Sequence, residues 1–307
     1  MAMNRRQFLY TGACAAAALA LPSRSFAVDT GLQTKPISPG KPAIPVIGMG
    51  TWQTFNIGDD PQLQKRCTEI VSTFIDMGGQ LIDSSPMYGS SATTVGRALA
   101  QLGPQHNVFA ADKIWSRDGD ATQQEYDQQA RRWGRDHMEL MQIHNLMAWQ
   151  PHLEHLSAMK QAGLVDYIGV TTSHGRRHKE LENIMANHAL DFVQLTYNIS
   201  HRDVEQRLLP LAREKNIAVI ANRPYDGGHL IKPLKHKAAV PQWAQQEHGY
   251  QTWADLLLGF VVSHPAVTCA IPATSQVAHM RENMQAGRHT LLSAKERRRL
   301  ADYVGTL

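Results

Sequence analysis

The sequence predicts a single (β/α)8 barrel of the TIM type, in the α/β class. Three observations predict it. Short apolar runs alternate with longer amphipathic stretches, which implies parallel strands joined by crossover helices. Eight such units follow one another. The chain has 307 residues, 43% of them hydrophobic, enough for one barrel of eight units and its core.

The β-like runs lie at 45–52, 80–85, 108–114, 140–145, 167–172, 192–198, 217–224 and 267–274. Helix-like stretches lie at 61–77, 92–102, 121–134, 151–162, 177–187, 202–215, 251–264 and 276–286. A doubly wound open sheet would be announced by a Gly-rich phosphate turn between its first strand and a helix. Here Gly48-Met49-Gly50-Thr51-Trp52 ends the first run, and no helix follows at once. One long irregular stretch, 225–250, contains Gly227-Gly228, Pro233 and Pro241, with a short helix-like piece near 242–247. As the loop after the seventh strand it is expected to overhang the C-terminal face, where barrels bind their ligands.

The first 27 residues read as an address. Arg5-Arg6-Gln7-Phe8-Leu9 precedes an apolar run from Tyr10 to Leu21, and Ser25-Phe26-Ala27 supplies small residues for cleavage. The run is too short for a stable membrane span. The paired arginines followed by Phe-Leu resemble a twin-arginine (Tat) signal. The expectation is a signal peptide at 1–27 and a barrel at 28–307, exported by the Tat machinery to the periplasm. After processing no stable membrane span remains, and the protein is expected to be a monomer.

The formal charge is +4, and Arg5, Arg6 and Arg24 lie in a leader without acids, so the remainder carries +1. No basic stripe with interleaved aromatics suggests nucleic acid. Cys14, Cys67 and Cys269 form no disulfide framework; the last two are expected as small buried hydrophobes. His229, His236 and His248 match no compact metal-ligand spacing, and no metal is expected.

Four residues stand out by position. Asp83 ends the second run, Tyr88 follows it, Lys113 ends the third run and His144 ends the fourth. In a barrel all four project onto one face. Taken singly, each has an ordinary structural explanation: a turn cap, a packing ring, a snorkelling lysine, a bonded histidine. A phenol is an acid with an ordinary pKa of about 10. A neighbouring ammonium favours its phenolate, a carboxylate holds the ammonium, and an imidazole can orient a carbonyl oxygen.

These segments resemble the aldo-keto reductase family. The resemblance rests on Gly48-Met49-Gly50-Thr51-Trp52, Leu81-Ile82-Asp83-Ser84-Ser85-Pro86-Met87-Tyr88-Gly89, Asp112-Lys113 and Gln142-Ile143-His144-Asn145. It continues through Tyr167-Ile168-Gly169-Val170, Val193-Gln194-Leu195-Thr196-Tyr197-Asn198, Ile271-Pro272-Ala273-Thr274-Ser275 and Glu282-Asn283. It implies NAD(P)H-dependent reduction of an aldehyde or ketone, with a small-molecule carbonyl substrate. Tyr88 would be the general acid, Lys113 its tuner, Asp83 the lysine's partner and His144 the orienting donor.

The resemblance also implies a cofactor site. Gln194 matches the family glutamine at the nicotinamide amide, and Asn283 the asparagine at adenine. Thr171 and Thr172 stand where the family has Ser-Asn, and Asn222-Arg223-Pro224 where it has a stacking aromatic. Arg223 would meet the pyrophosphate. Thr274 and Ser275 lie beside the adenosine 2′-phosphate, whose usual lysine and arginine are here Ala273 and His279. NADPH is expected, with NADH as the alternative. Trp52 and Trp115, with Met87 and Met147 nearby, suggest an apolar substrate pocket. Three other function classes compete: an exported nucleotide-binding sensor or partner subunit with little turnover, a metal-dependent barrel enzyme, and a redox partner.

Overall fold

A computed structural model describes residues 31–104 and 106–307, so the expected signal at 1–27 lies outside the described residues. The described chain opens with an antiparallel hairpin, β1 (Thr34–Pro36) and β2 (Ala43–Pro45). Eight parallel strands follow: β3 (Met49–Gly50), β4 (Leu81–Asp83), β5 (Phe109–Ile114), β6 (Met138–Ile143), β7 (Val165–Thr171), β8 (Phe192–Thr196), β9 (Ala218–Asn222) and β10 (Cys269–Ala270). Each pairs with its neighbours in chain order.

Bridges Ile47–Ala270 and Gly50–Ala273 close the sheet, with Gly48 N donating to Ala270 O at 2.8 Å and Gly50 N to Pro272 O at 3.1 Å. The two glycines make this seam. A Cβ on Gly50 would lie 2.7 Å from Ile271 O, and one on Gly48 2.9 Å from Leu81 O. The Gly-x-Gly is therefore a packing device, as a close backbone approach requires.

Eleven helices are described: α1 (Pro61–Asp76), α2 (Ser91–Leu102), α3 (Thr122–Trp133), α4 (Trp149–Gln161), α5 (His178–Asn187), α6 (Leu208–Glu214), α7 (Ile231–Lys237), α8 (Gln242–His248), α9 (Trp253–Val262), α10 (Val277–Ala286) and α11 (Ala294–Gly305). The helix α1 shows why they form. Asp60 caps it through bonds from Gln62 N and Leu63 N at 2.8 and 3.0 Å. Pro61 starts it, and Cys67, Ile70, Val71 and Phe74 line one buried face. α9 is instead buried all round. α7 and α11 lie over it: Trp253 Nε1 donates to Ala238 O at 2.8 Å just past α7, and Arg297 Nε of α11 to Phe260 O at 3.2 Å.

The structure departs from the sequence reading in four places. The stretch 225–250 carries, besides the helical piece expected near 242–247 and found as α8, a 3-10 turn, Asp226–Gly228, and the helix α7. The helix expected at 202–215 is a 3-10 turn, Asp203–Glu205, followed by α6. The hairpin and α11 were not expected. Cys67 and Cys269 are free and buried. No helix of the described residues is long and apolar enough to cross a membrane.

Strand alternation divides the barrel interior into two levels. The lower level is apolar: Leu81, Ala111, Leu140, Phe192, Ala218, Ile220, Cys269 and Ile271, joined by Ile37 and Ile44 of the hairpin. Lys35 latches that hairpin to the end of α9, donating to Val262 O, His264 O and Val267 O at 2.6, 2.9 and 2.7 Å. Two residues further along β4, β5, β6, β8 and β9 the inward side chains turn polar: Asp83, Lys113, Gln142, Gln194 and Asn222.

Candidate active site

The site is built on the C-terminal ends of β4, β5 and β6. β4 ends at Asp83, and the chain then turns through Pro86–Tyr88. Ser85 caps this turn: Met87 N donates to its Oγ at 3.3 Å, and Tyr88 N to its carbonyl at 2.9 Å. Gly89 follows with φ of 63°, where a Cβ would lie 2.3 Å from Asn56 Oδ1. This turn, and the glycine it requires, bring the half-buried phenol back over the barrel mouth.

Lys113 is fully buried and Asp83 is 2% exposed. Lys113 Nζ donates to Asp83 Oδ1 and Oδ2 at 2.8 and 2.7 Å, and to Ser84 O at 2.6 Å. Asp83 Oδ1 also accepts from Gln194 Nε2 at 2.8 Å and Gln142 Nε2 at 3.3 Å. Burial alone would lower the amine's pKa, but Asp83 chiefly, with Tyr88, outweighs it and raises the pKa. The ammonium is 5.1 Å from the centre of the Tyr88 ring.

Burial pushes the Tyr88 phenol up to about 12; Lys113 pulls against this and Asp83 adds to it. The sequence reading had the ammonium making the phenol more acidic. In the folded site desolvation wins, so the phenol is firmly protonated at neutral pH. His144 is edge-on to Tyr88, with ring centres 5.7 Å apart. Burial first, then the Lys113 charge, lowers its pKa to about 3, so the imidazole is neutral. Its Nδ1 is 2.7 Å from Ser85 Oγ. The structure thus brings Asp83, Tyr88, Lys113 and His144 together.

The residues expected at the cofactor form a looser set. Thr171 Oγ1 accepts from Asn145 N at 3.0 Å, while Thr172 Oγ1 is buried without a partner. Gln194 is drawn inward, onto Asp83. Arg223 pairs with Asp226 at 3.0 Å, covers Trp52 at 5.8 Å, and keeps Nε buried and unbonded. Thr274 Oγ1 is bonded within its own turn, accepting from Gln276 N at 3.1 Å, and Ser275 is exposed. Asn283 Oδ1 accepts from Tyr225 Oη at 2.7 Å. Asn222, in place of an aromatic, donates to Thr172 O at 2.9 Å. Trp115 is 40% exposed on the rim, its backbone N bonded to Glu125 at 2.6 Å.

Sequence reasoning quoted Gln142, Asn222 and Ser85 in the motifs but gave none of them a role in the site. Gln142 was findable, since it lies two residues before His144 on the same strand face. Backbone strain marks the same end of the barrel. Among the described residues, nine non-glycine residues have left-handed φ. Eight of them follow a barrel strand: Gln53, Asn145, Leu146, Ala148, His174, Arg177, Arg223 and Asp226. Strain concentrated on one face suggests that function overrides local preference there.

Surface grooves of about 580 and 680 Å³ lie elsewhere, the first beside Arg97, Arg131 and Arg132, the second beside Lys160, Asp191 and Lys215. Neither includes a residue of the mouth.

Comparison with known proteins agrees with this geometry. The model of the aldo/keto reductase family matches residues 46–304. Methylglyoxal reductase YeaE of Escherichia coli is 27% identical over 251 residues, 80% of this chain and 86% of that protein. The NADH-specific methylglyoxal reductase of Escherichia coli is 28% identical over 224 residues, 60% of this chain and 64% of that one. A crystal structure of an aldo/keto reductase from Klebsiella pneumoniae, in complex with NADP and acetate, superposes with a TM-score of 0.75. At 24% identity, covering 89% of this chain and 96% of that one, it speaks to the fold. The chain belongs to the aldo/keto reductase family and is an NAD(P)H-dependent oxidoreductase that reduces carbonyl groups.

Proposed function

We propose that the chain reduces a small aldehyde or ketone with NADPH, using Tyr88 as the proton donor, after export to the periplasm. One observation carries the assignment of Tyr88: Lys113 Nζ is held by both oxygens of Asp83 and lies 5.1 Å from the phenol ring. As the carbonyl oxygen gains negative charge, the Tyr88 hydroxyl gives it a proton. Lys113 stabilises the phenolate that remains, and Asp83 keeps the lysine charged and in place. His144 bonds the carbonyl oxygen and orients it. General acid catalysis of this kind contributes about 10²–10⁴-fold.

The nucleotide, when bound, supplies the hydride. The mouth has donors that suit it: the buried, unpartnered hydroxyl of Thr172 for an amide, and the unbonded Nε of Arg223 for a pyrophosphate. Gln194, Thr171, Thr274, Ser275 and Asn283 complete the proposed contacts. With Ala273 and His279 at the exposed 2′-phosphate positions, the preference for NADPH is modest. The NADH-specific relative makes NADH the alternative. Trp52 and Trp115 flank a pocket for a small carbonyl, and methylglyoxal is the first substrate to test, given the relatives' names. Export rests on Arg5-Arg6 and the apolar run after them; a monomer is proposed.

The test is to recover the exported protein, compare its affinities for NADPH and NADH, and assay a carbonyl panel that includes methylglyoxal. Tighter binding of NADPH and turnover of small aldehydes are expected. A clear preference for NADH would overturn the cofactor assignment, and tight nucleotide binding without any turnover would favour the sensor. Lysines in place of Arg5 and Arg6 should block export; normal export would remove the Tat assignment.

A further inference from the structure

We infer that Ser85 is a positioning residue that sets the tautomer of His144 and, through the same side chain, the placement of Tyr88. The inference rests on the proposed role of His144 as the donor to the carbonyl oxygen.

Ser85 is fully buried between the ends of β4 and β6. Its oxygen accepts from Met87 N at 3.3 Å, the bond that caps the turn carrying Tyr88. Its single proton must then go to an acceptor. His144 Nδ1, at 2.7 Å, is the acceptor the site provides. A hydroxyl has one proton to give, and a neutral imidazole has one N–H and one lone pair. If Ser85 donates to Nδ1, the ring proton is on Nε2. The opposite arrangement puts the proton on Nδ1, leaves the buried serine hydroxyl without an acceptor, and turns a bare lone pair on Nε2 toward any ligand. That form could not donate to a carbonyl oxygen.

The imidazole does not escape this choice by becoming doubly protonated. It is buried near the Lys113 ammonium and stays neutral. The groups facing it are Ser85, Tyr88 and Lys113, and the only cation among them repels a second proton. One hydroxyl therefore joins the two proton-handling groups. Its lone pair holds the turn that brings in the phenol, and its proton leaves the imidazole as a donor on Nε2.

The experiment uses the full barrel with NADPH bound, labelled with ¹⁵N in histidine, and His144→Asn to assign the His144 signals. In the parent protein His144 should be the Nε2–H tautomer. Ser85→Ala should shift it toward Nδ1–H and lower kcat for carbonyl reduction about tenfold or more, with unchanged affinity for NADPH. Ser85→Thr, which keeps the hydroxyl, should restore both the tautomer and kcat. An Nδ1–H tautomer in the parent protein would overturn the inference. So would an unshifted Nε2–H signal in Ser85→Ala, or a Ser85→Thr variant that folds and does not recover the tautomer. Failure of Tyr88 or His144 to act in catalysis would appear as unaffected turnover in their own variants, and would leave the tautomer measurement to decide the role of Ser85.

Discussion

The two levels of the barrel interior are made by the same strands and have opposite purposes. Leu81 and Asp83 share one face of β4, Ala111 and Lys113 one face of β5, Leu140 and Gln142 one face of β6, Phe192 and Gln194 one face of β8. At the lower level the chain fills the barrel with apolar side chains and seals it with the hairpin. One inward step higher it buries a carboxylate, an ammonium and amides. The lower level is stabilised by removal of apolar surface from water. The upper level is costly to desolvate and is held by mutual bonding. Within the barrel interior, buried charge therefore marks the end where chemistry, rather than packing, decides the residues.

Substitutions at the two levels should separate these purposes. Lys113→Met removes one partner of a buried pair and leaves the Asp83 carboxyl without its cation. It should cut carbonyl reduction to about a few per cent of the parent rate or less, and cost about 3–5 kcal/mol of stability, read by urea unfolding. Phe192→Ala, one level below, should cost a similar ~3–5 kcal/mol by leaving a cavity, yet leave kcat within a factor of about three in the folded fraction. If Phe192→Ala lost activity as completely as Lys113→Met, the division between levels would not stand.

The smallest expected effect is that of pH. With His144 lowered to about 3 and Tyr88 raised to about 12, neither changes charge across the neutral range. The kcat for reduction should be flat between about pH 5 and 9 as far as these groups are concerned. Stability should respond where rate does not. Unfolded His144 has an ordinary pKa of about 6.5, and the folded ring refuses that proton until about pH 3. The unfolded chain thus binds more protons, and the His144 contribution falls as pH drops through this window. The buried Asp112 carboxyl beside Lys113 is itself raised to about 7, so the contradicting result is an apparent pKa near 7 in the kcat profile that disappears in His144→Asn.

Much of this was legible in the sequence because periodicity has one cause at each level. Apolar runs spaced by amphipathic stretches reveal a parallel barrel, and alternation then places Asp83, Lys113 and His144 on its mouth. The hairpin was not legible, because each strand has three residues and ends in a proline, Pro36 or Pro45. The helix α7 has seven residues and sits among glycines and prolines that suggest a loop, whereas the short piece expected near 242–247 is α8. α11 could have been found, since Ser293 and Glu296 form a capping box at its start. What no pattern could show was the partner of each polar group. Gln194 bonds Asp83, Tyr225 bonds Asn283 and Ser85 meets His144 across long sequence separations. The net acidity of Tyr88 was likewise out of reach, because it depends on how far burial exceeds the pull of Lys113.

The most direct measurement is the turnover of Tyr88→Phe against its affinity for NADPH. The substitution deletes one oxygen and leaves the ring over Lys113. The expected result is a loss of carbonyl reduction of at least about two orders of magnitude, with unchanged nucleotide binding and fold. Reduction that persists near the parent rate would mean that the proton comes from elsewhere, and that the convergence of Tyr88, Lys113, Asp83 and His144 is not the machinery of the reaction.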